Sequence, residues 1–374
     1  VDIIVGSKHL AVDISSAVDV SGREHLVIVA KGTWKIPAAG ERPRPIEPQP
    51  FEHADVYVGE PGLSAMLYGS DLARFKPRCD VLFNASAHAN GKPVQSMEVV
   101  WQVGPLRKGL RVHGSRNWRK RLGIVSLTDA EPFSQMPLHF GNAFGGMRTY
   151  KKGWGETATT LVEAHPENPD GIGWFGSRSN DEIDGQPAPM LESLDDAVRK
   201  PNGNQRPIAF SAIARHWHPR PKYGGTYDDK WQREIFPFLP EDFDEQFNQC
   251  APEDQQMPYP KGGEQIILRN MMAGRSDVRF RLPKCDNVIV RILRSDYSSE
   301  ECLAVPDTIY FEPNEERFSV VWRLSTPVKR RLNEFHTIAV GPVSEQLWRE
   351  RSLGLGGCMG CKPTNAAIEG RETQ

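Results

Sequence analysis

Residues 217–263 read WHPRPKYGGTYDDKWQREIFPFLPEDFDEQFNQCAPEDQQMPYPKGG, and everything around them has to be fitted to this stretch. Nine of its residues are Phe, Trp or Tyr and seven are Pro. Proline fixes φ and removes a backbone donor, so the stretch suits neither a helix interior nor a central strand. So many rings do not all stay in water, because each buries a large apolar area when it packs. A disordered linker would be rich in Pro but poor in aromatics. The expectation is an ordered, irregular cover, wrapped onto a scaffold and pinned by its rings.

The irregular character extends upstream to Asp129. Residues 129–263 are too many for one loop in a compact domain. Phe133, Phe140, Phe144, Trp154, Trp174 and Phe175 read as further anchors, and Gly145-Gly146 and Gly171-Ile172-Gly173 as punctuation. A helix is expected only over 193–199.

The flanks carry strand patterns. Residues 26–36, LVIVAKGTWKI, are nearly continuously apolar before Lys31, which suits a strand buried on both faces. Residues 81–88 alternate, with Val81, Phe83, Ala85 and Ala87 on one face. Asn90-Gly91 supplies a tight turn, and 94–103 place Met97, Val99, Trp101 and Val103 together. These predict an antiparallel hairpin. Further strands are expected at 109–113, 122–127, 264–269, 277–282, 287–293, 317–324 and 337–340. Ser344 is placed to N-cap a short helix over 344–351. The reading is a mainly β, sandwich-like fold of antiparallel strands with few short helices. Its parts are a β-rich 1–128, an irregular cover 129–263, a β-rich 264–343 packing with the first, and a short helix with a loose tail at 344–374.

Composition bounds the function. The chain has 374 residues, 39% hydrophobic and 25% charged, with a formal net charge of −2. That composition is ordinary for a soluble protein, and the charge gives no general drive toward nucleic acid or acidic membrane. No run approaches the ~18–20 apolar residues of a membrane span. The N-terminus lacks the basic and apolar regions of a signal peptide. Six widely spaced cysteines do not form a disulfide framework. The expected compartment is the cytoplasm.

Chemistry-bearing motifs are few. Cys358 and Cys361 form a CxxC, but a zinc site needs four ligands and no second pair stands nearby. His216 and His218 share a strand face but lack a third ligand and precede Pro219. Arg116, Arg119, Lys120 and Arg121 form a local basic cluster, a solvated face or a docking patch for an acidic partner. No nucleophile elbow or phosphate loop is present. Gly171-x-Gly173-x-x-Gly176 matches a dinucleotide string but lacks the strand and helix around it. Residues 368–371, IEGR, resemble a protease-tag site and equally suit native sequence. No catalytic set, metal site or cofactor is expected.

The motifs do fall in an ordered series. Val29-Ala30-Lys31-Gly32-Thr33 is followed by Ser70-Asp71, Lys76-Pro77, Cys79-Asp80-Val81, Gly114-Ser115-Arg116-Asn117-Trp118 and Ala143-Phe144-Gly145-Gly146. Then come Pro219-Arg220, Gly225-Thr226-Tyr227-Asp228, Trp231, Leu239-Pro240, Asp242-Phe243-Asp244, Ala251-Pro252 and Asp254-Gln255. Over roughly residues 20–325 this series resembles a bacterial family, formerly a domain of unknown function, whose members are encoded beside type VI secretion effectors. Such members act as adaptors or chaperones. The resemblance implies that the chain holds a cognate toxic effector in the producing cell and helps mount it on the valine-glycine repeat spike, VgrG, or its PAAR tip. It implies no enzyme activity and no cofactor.

Within that series Arg220, Thr226, Tyr227, Asp228, Trp231, Asp242, Phe243 and Asp254 are the candidate partner-binding residues, read against a purely structural role. The alternative is a carbohydrate-active or other hydrolase using the acidic and aromatic side chains of 217–256, with a pair of carboxylates flanking the scissile bond. Asp in Thr-Tyr-Asp-Asp and Pro-Glu-Asp-Phe-Asp contexts favours capping of turns and helix starts.

Overall fold

A computed structural model describes residues 1–153 and 159–353. Trp154, Cys358, Cys361 and the 368–371 segment lie outside the described residues. The chain is mainly β, 42% strand against 11% helix. In chain order the strands of its two principal sheets are β1 (Asp2–Val5), β2 (Ala11–Val18), β3 (Glu24–Lys35), β4 (Arg44–Ile46), β5 (Cys79–Phe83), β6 (Ser96–Val103), β7 (Leu106–His113) and β8 (Leu191–Ser193). They continue with β9 (Gln256–Met257), β10 (Gln265–Met272), β11 (Arg275–Arg281), β12 (Val288–Arg294), β13 (Ser299–Glu312), β14 (Arg317–Pro327) and β15 (Phe335–Val340). Three short helices, α1 (Asn180–Ile183), α2 (Asp229–Glu234) and α3 (Glu345–Ser352), occur among the described residues. Ser344 caps α3, accepting from the Leu347 amide. No helix among these is long and apolar enough to cross a membrane.

The larger sheet has ten strands and follows the path β1-β15-β12-β13-β14-β3-β2. It curls into an open half-barrel. Strand β4 adds to β3, β5 runs parallel to β13, and β9 adds to β5. The smaller sheet has five strands in the order β8-β7-β6-β10-β11. Both sheets mix strands from the two ends of the chain.

Strand β3 is buried from Leu26 to Thr33, which is why its sequence is continuously apolar rather than alternating. Leu26, Ile28 and Ala30 join the main core with Phe318, Val320 and Trp322 of β14. That core continues into the smaller sheet through Phe83 and Trp101, whose ring centroids are 5.0 Å apart. Gly32 has a packing role. A Cβ there would stand 2.9 Å from the Trp34 ring, which together with Trp322 occupies the space above it.

The other face of β3 carries Val27, Val29, Lys31 and Thr33. Val27, Val29 and Val321 form a small cluster under Phe51 and Leu72. Beside it runs a row of buried charged and polar groups. Lys31 Nζ donates to Asp71 Oδ2 at 2.5 Å and to the Pro50 carbonyl at 2.9 Å. Arg323 Nε donates to Asp307 Oδ2 at 2.5 Å, and its Nη1 donates to the Asp71 and Ala73 carbonyls. Lys76 Nζ donates to Asp80 Oδ2 at 2.9 Å and to Thr308 Oγ1 at 3.0 Å. Each ion pair is almost fully removed from water. Together they clamp the 49–80 segment onto the sheet.

Three expectations are corrected. The 81–103 hairpin does not form. Strand β5 pairs with β13 and β9, residues Ser86–His88 pair with Gln135–Pro137, and β6 pairs with β7 and β10. The expected alternation of a half-buried strand is overturned too, because β5 is buried along its whole length, Leu82 included, and a one-sided pattern carries no record of which strand lies alongside. The 193–199 helix is also absent, since Leu191–Ser193 is strand β8 and no helix follows. The Glu192 carboxylate accepts from the Val198 amide at 3.2 Å and fixes that turn. The longest strand, β13, carries no clear pattern because Pro306 interrupts it, and the β13–β14 register shifts between Pro306 and Thr308. A Pro inside a sheet is tolerated at such a bulge.

Removing one partner of a buried pair leaves an uncompensated charge and costs about 3–5 kcal/mol, whereas replacing both is far milder. Asp71→Ala is therefore expected to lower the unfolding free energy in urea by about that amount. Adding Lys31→Met in the same chain should recover at least half of the loss.

Candidate partner-binding site

The expected irregular cover over 129–263 holds only in its later part: Met147–Lys152 and Thr159–Ala164 form an antiparallel hairpin, and the irregular cover, 206–262, is fastened to the sheets by polar side chains. Asp80 on β5 is its main anchor. Its Oδ1 accepts from Gln249 Nε2 at 2.5 Å and the Ala251 amide at 3.3 Å, and its Oδ2 accepts from the Cys250 amide at 3.0 Å. Gln255 Nε2 donates to the carbonyls of Val81 (2.8 Å) and Phe210 (3.0 Å), joining the cover to β5 from the other side. Trp217 is fully buried against Phe140, edge to face at 5.9 Å. Arg220 is buried too. It donates to the Ile213 carbonyl at 2.8 Å and to the Phe247 carbonyl at 2.8 and 3.1 Å, and its guanidinium lies over the Phe247 ring. Burial pulls the Arg220 pKa below its ordinary value.

Thr226, Tyr227, Asp228, Trp231 and Asp242 come together at the surface. Asp242 accepts from the Thr226 amide at 2.9 Å and the Thr226 hydroxyl at 2.7 Å, and these bonds hold its carboxyl below the usual range. Gly225 precedes this link with φ +84°, where a Cβ would lie 2.7 Å from Pro240. Asp228 caps α2, accepting from the Trp231 amide at 2.8 Å. Helix α2 buries no residue completely, so its cap and its rings hold it rather than a core face. Trp231 Nε1 donates to the Phe238 carbonyl at 2.9 Å. Tyr227 meets the Trp231 ring edge to face at 4.7 Å, and Phe236 meets it at 5.6 Å.

These rings face water. Tyr227 is 58% exposed, Phe236 66% and Phe238 45%. The Phe238 ring lies about 3 Å from where a Cβ on Gly22 would stand, in the turn between β2 and β3. The result is a fixed aromatic knob on a short capped helix. The other three candidates lie apart from it. Arg220 and Phe243 sit around the Phe247 ring, Phe243 meeting it at 5.8 Å. Asp254 pairs with Lys108 Nζ at 2.9 Å, where burial lowers the lysine pKa and Asp254 opposes that shift. Sequence reasoning missed Phe236 and Phe238. Their signal was Ile235-Phe236-Pro237-Phe238, large apolar residues around a proline in a polar surround.

Several reactive-looking groups have structural roles. Cys250 Sγ lies 3.4 Å from Asp80 Oδ2 and 3.9 Å from Lys76 Nζ, which looks like an activated thiol. Burial pushes that thiol up to about 11, so it stays protonated, whereas a nucleophilic cysteine needs its thiolate. His216 Nε2 lies 3.0 Å from the Trp217 indole nitrogen, and His218 is exposed. No group of three or more metal-ligating side chains occurs among the described residues. The basic cluster divides. Arg116 is buried and donates to Glu192 Oε2 at 3.0 Å, while Lys120 pairs with Asp181 at 2.5 Å at the surface.

The family described as an uncharacterized protein conserved in bacteria, DUF2169, matches residues 21–323. The chain belongs to DUF2169. No curated protein and no solved structure matches it. The DUF2169 match runs from the turn before β3 into β14, and so takes in the buried row, the Asp80 anchor and the aromatic knob.

Glu192 offers a test of this packing by pH. Burial alone would raise its pKa, but hydrogen bonds from His113 (2.7 Å) and Arg116 outweigh burial and hold it at about 2. A depressed carboxyl contributes stability above its unfolded pKa of ~4.3 and loses it as pH falls through the folded value. The stability gap between the native protein and Glu192→Gln, followed by urea unfolding, should be full at pH 6. It should shrink steadily between pH ~4.5 and about 2.

Proposed function

We propose that this protein is an adaptor or chaperone of a type VI secretion system, binding a cognate toxic effector in the bacterial cytoplasm and helping to load it onto the VgrG/PAAR spike. The observation that carries this reading is the aromatic knob. Tyr227, Phe236 and Phe238 are held in water by a fixed framework although each would gain by leaving it. Aromatic side chains that are already positioned lose little entropy when a partner covers them, and such residues dominate binding energy at protein interfaces. The ordered motif series supports the same assignment, since it resembles the effector-loading family. The carboxylates of the hydrolase alternative, Asp228 and Asp242, accept capping hydrogen bonds and lend it no support.

The test is co-purification from the native bacterium with the effector encoded beside this protein's gene. The native chain should retain the effector. Tyr227→Ala with Phe236→Ala should weaken the complex at least tenfold, about 1.4 kcal/mol, while the two sheets still melt near the native temperature, because both rings are mostly exposed and pack on Trp231 rather than in the core. A native chain that retains no such effector, or a variant that binds it as tightly, would contradict the reading.

A further inference from the structure

Strand β11 ends the five-stranded sheet, pairing with β10 and with no strand beyond it among the described residues. A groove of about 800 Å³ lies at the C-terminal end of this strand, lined by residues 279–284, by 261–263 and Gln265 beside them, and by the Gly40–Pro43 loop. Five cationic side chains line it, Arg42, Lys261, Arg279, Arg281 and Lys284, against one carboxylate, Glu41. All five are exposed. Arg42, Lys261 and Arg281 have no carboxylate partner among the described residues, whereas Arg279 is shared with Asp277 and Lys284 with Asp286. At one end of β11, Arg275 Nη1 donates to the Pro37 carbonyl at 2.7 Å and ties the loop to the strand. In a chain of net charge −2 this is a local concentration of positive charge.

An edge strand presents unpaired N–H and C=O groups that can pair with another extended segment. Proteins commonly blunt such edges with charge, and here the charge is almost all of one sign. We propose that the β11 edge is a docking site for an acidic extended peptide that adds to the sheet as a further strand. Its side-chain pattern follows from β11. Arg279 and Arg281 point outward while Val278 and Phe280 are buried. An added strand alternates in the same way, so residues beside the arginines should be Asp or Glu and those beside Phe280 should be apolar. Backbone pairing would supply affinity and the alternate side chains would supply specificity. Nucleic acid also carries negative charge, but the free strand edge offers backbone donors and acceptors that an extended peptide can pair with, which favours a peptide. None of these residues belongs to the aromatic knob, and the inference stands whether or not an effector binds there.

The test uses the full chain and a fluorescein-labelled peptide of alternating Glu and Val, followed by fluorescence anisotropy. Saturable binding is expected, weakening as salt rises. A Lys–Val peptide should bind at least tenfold more weakly, and so should the Glu–Val peptide N-methylated at every other residue, which removes the donors along one edge. Arg42→Glu with Arg281→Glu should lose at least tenfold while Tyr227→Ala binds normally. Absence of binding, indifference to N-methylation, or indifference to charge reversal at Arg42 and Arg281 would overturn the proposal. Tighter binding of a single-stranded oligonucleotide to the same residues would also overturn it, reassigning the groove to a polyanion.

Discussion

One carboxylate, Asp80, ties together parts of the chain that are distant in sequence. It stands on β5, inside the ten-stranded sheet, and is wholly buried. A charge in that position is tolerable only if it is paired and its lone pairs are filled. Lys76 supplies the countercharge, and Gln249 with the amides of Cys250 and Ala251 fills the remaining positions. Satisfying Asp80 therefore requires the cover to pass this point of the sheet. Lys31 with Asp71, and Arg323 through the Asp71 and Ala73 carbonyls, impose the same kind of requirement on the 49–80 segment. Irregular backbone is here held in register by charge rather than by ladders.

This division of labour explains the surface. Because the inner side of the cover is fixed by polar anchors and by Trp217, its outer side is relieved of core duty. Helix α2 stands on its Asp228 cap and on the Thr226–Asp242 link, and its rings remain in water. A loop held only by hydrophobic collapse would bury Tyr227, Phe236 and Phe238 first. Their exposure on a braced segment is the feature on which the proposed partner recognition rests.

Much of this was legible in the sequence where local pattern and final environment agree. The apolar run at 26–36 announced a doubly buried strand, and the Thr-Tyr-Asp-Asp context announced the cap made by Asp228. The 217–263 stretch revealed through its proline and ring content that it would be irregular. What the sequence concealed was partnership. Residues 81–88 alternate, yet their first half pairs with β13 and β9 and their second half with Gln135–Pro137. Strand β13 was hidden by the bulge at Pro306. Lys31, Asp71, Lys76 and Asp80 stood out as members of a motif series, but their mutual pairing depends on separations such as the 40 residues between Lys31 and Asp71. The aromatic knob was read only in part, because composition tells that rings must pack and does not tell which ones stay outside.

The most direct test of the account is amide hydrogen exchange on the native chain and on Asp80→Asn. If Asp80 is the anchor, the variant should lose protection first and most in the cover, around residues 249–257 and then 226–247, while β3 and β14 keep theirs. A variant whose cover exchanges as slowly as the native protein's would contradict the claim that this buried carboxylate holds the cover on the sheet.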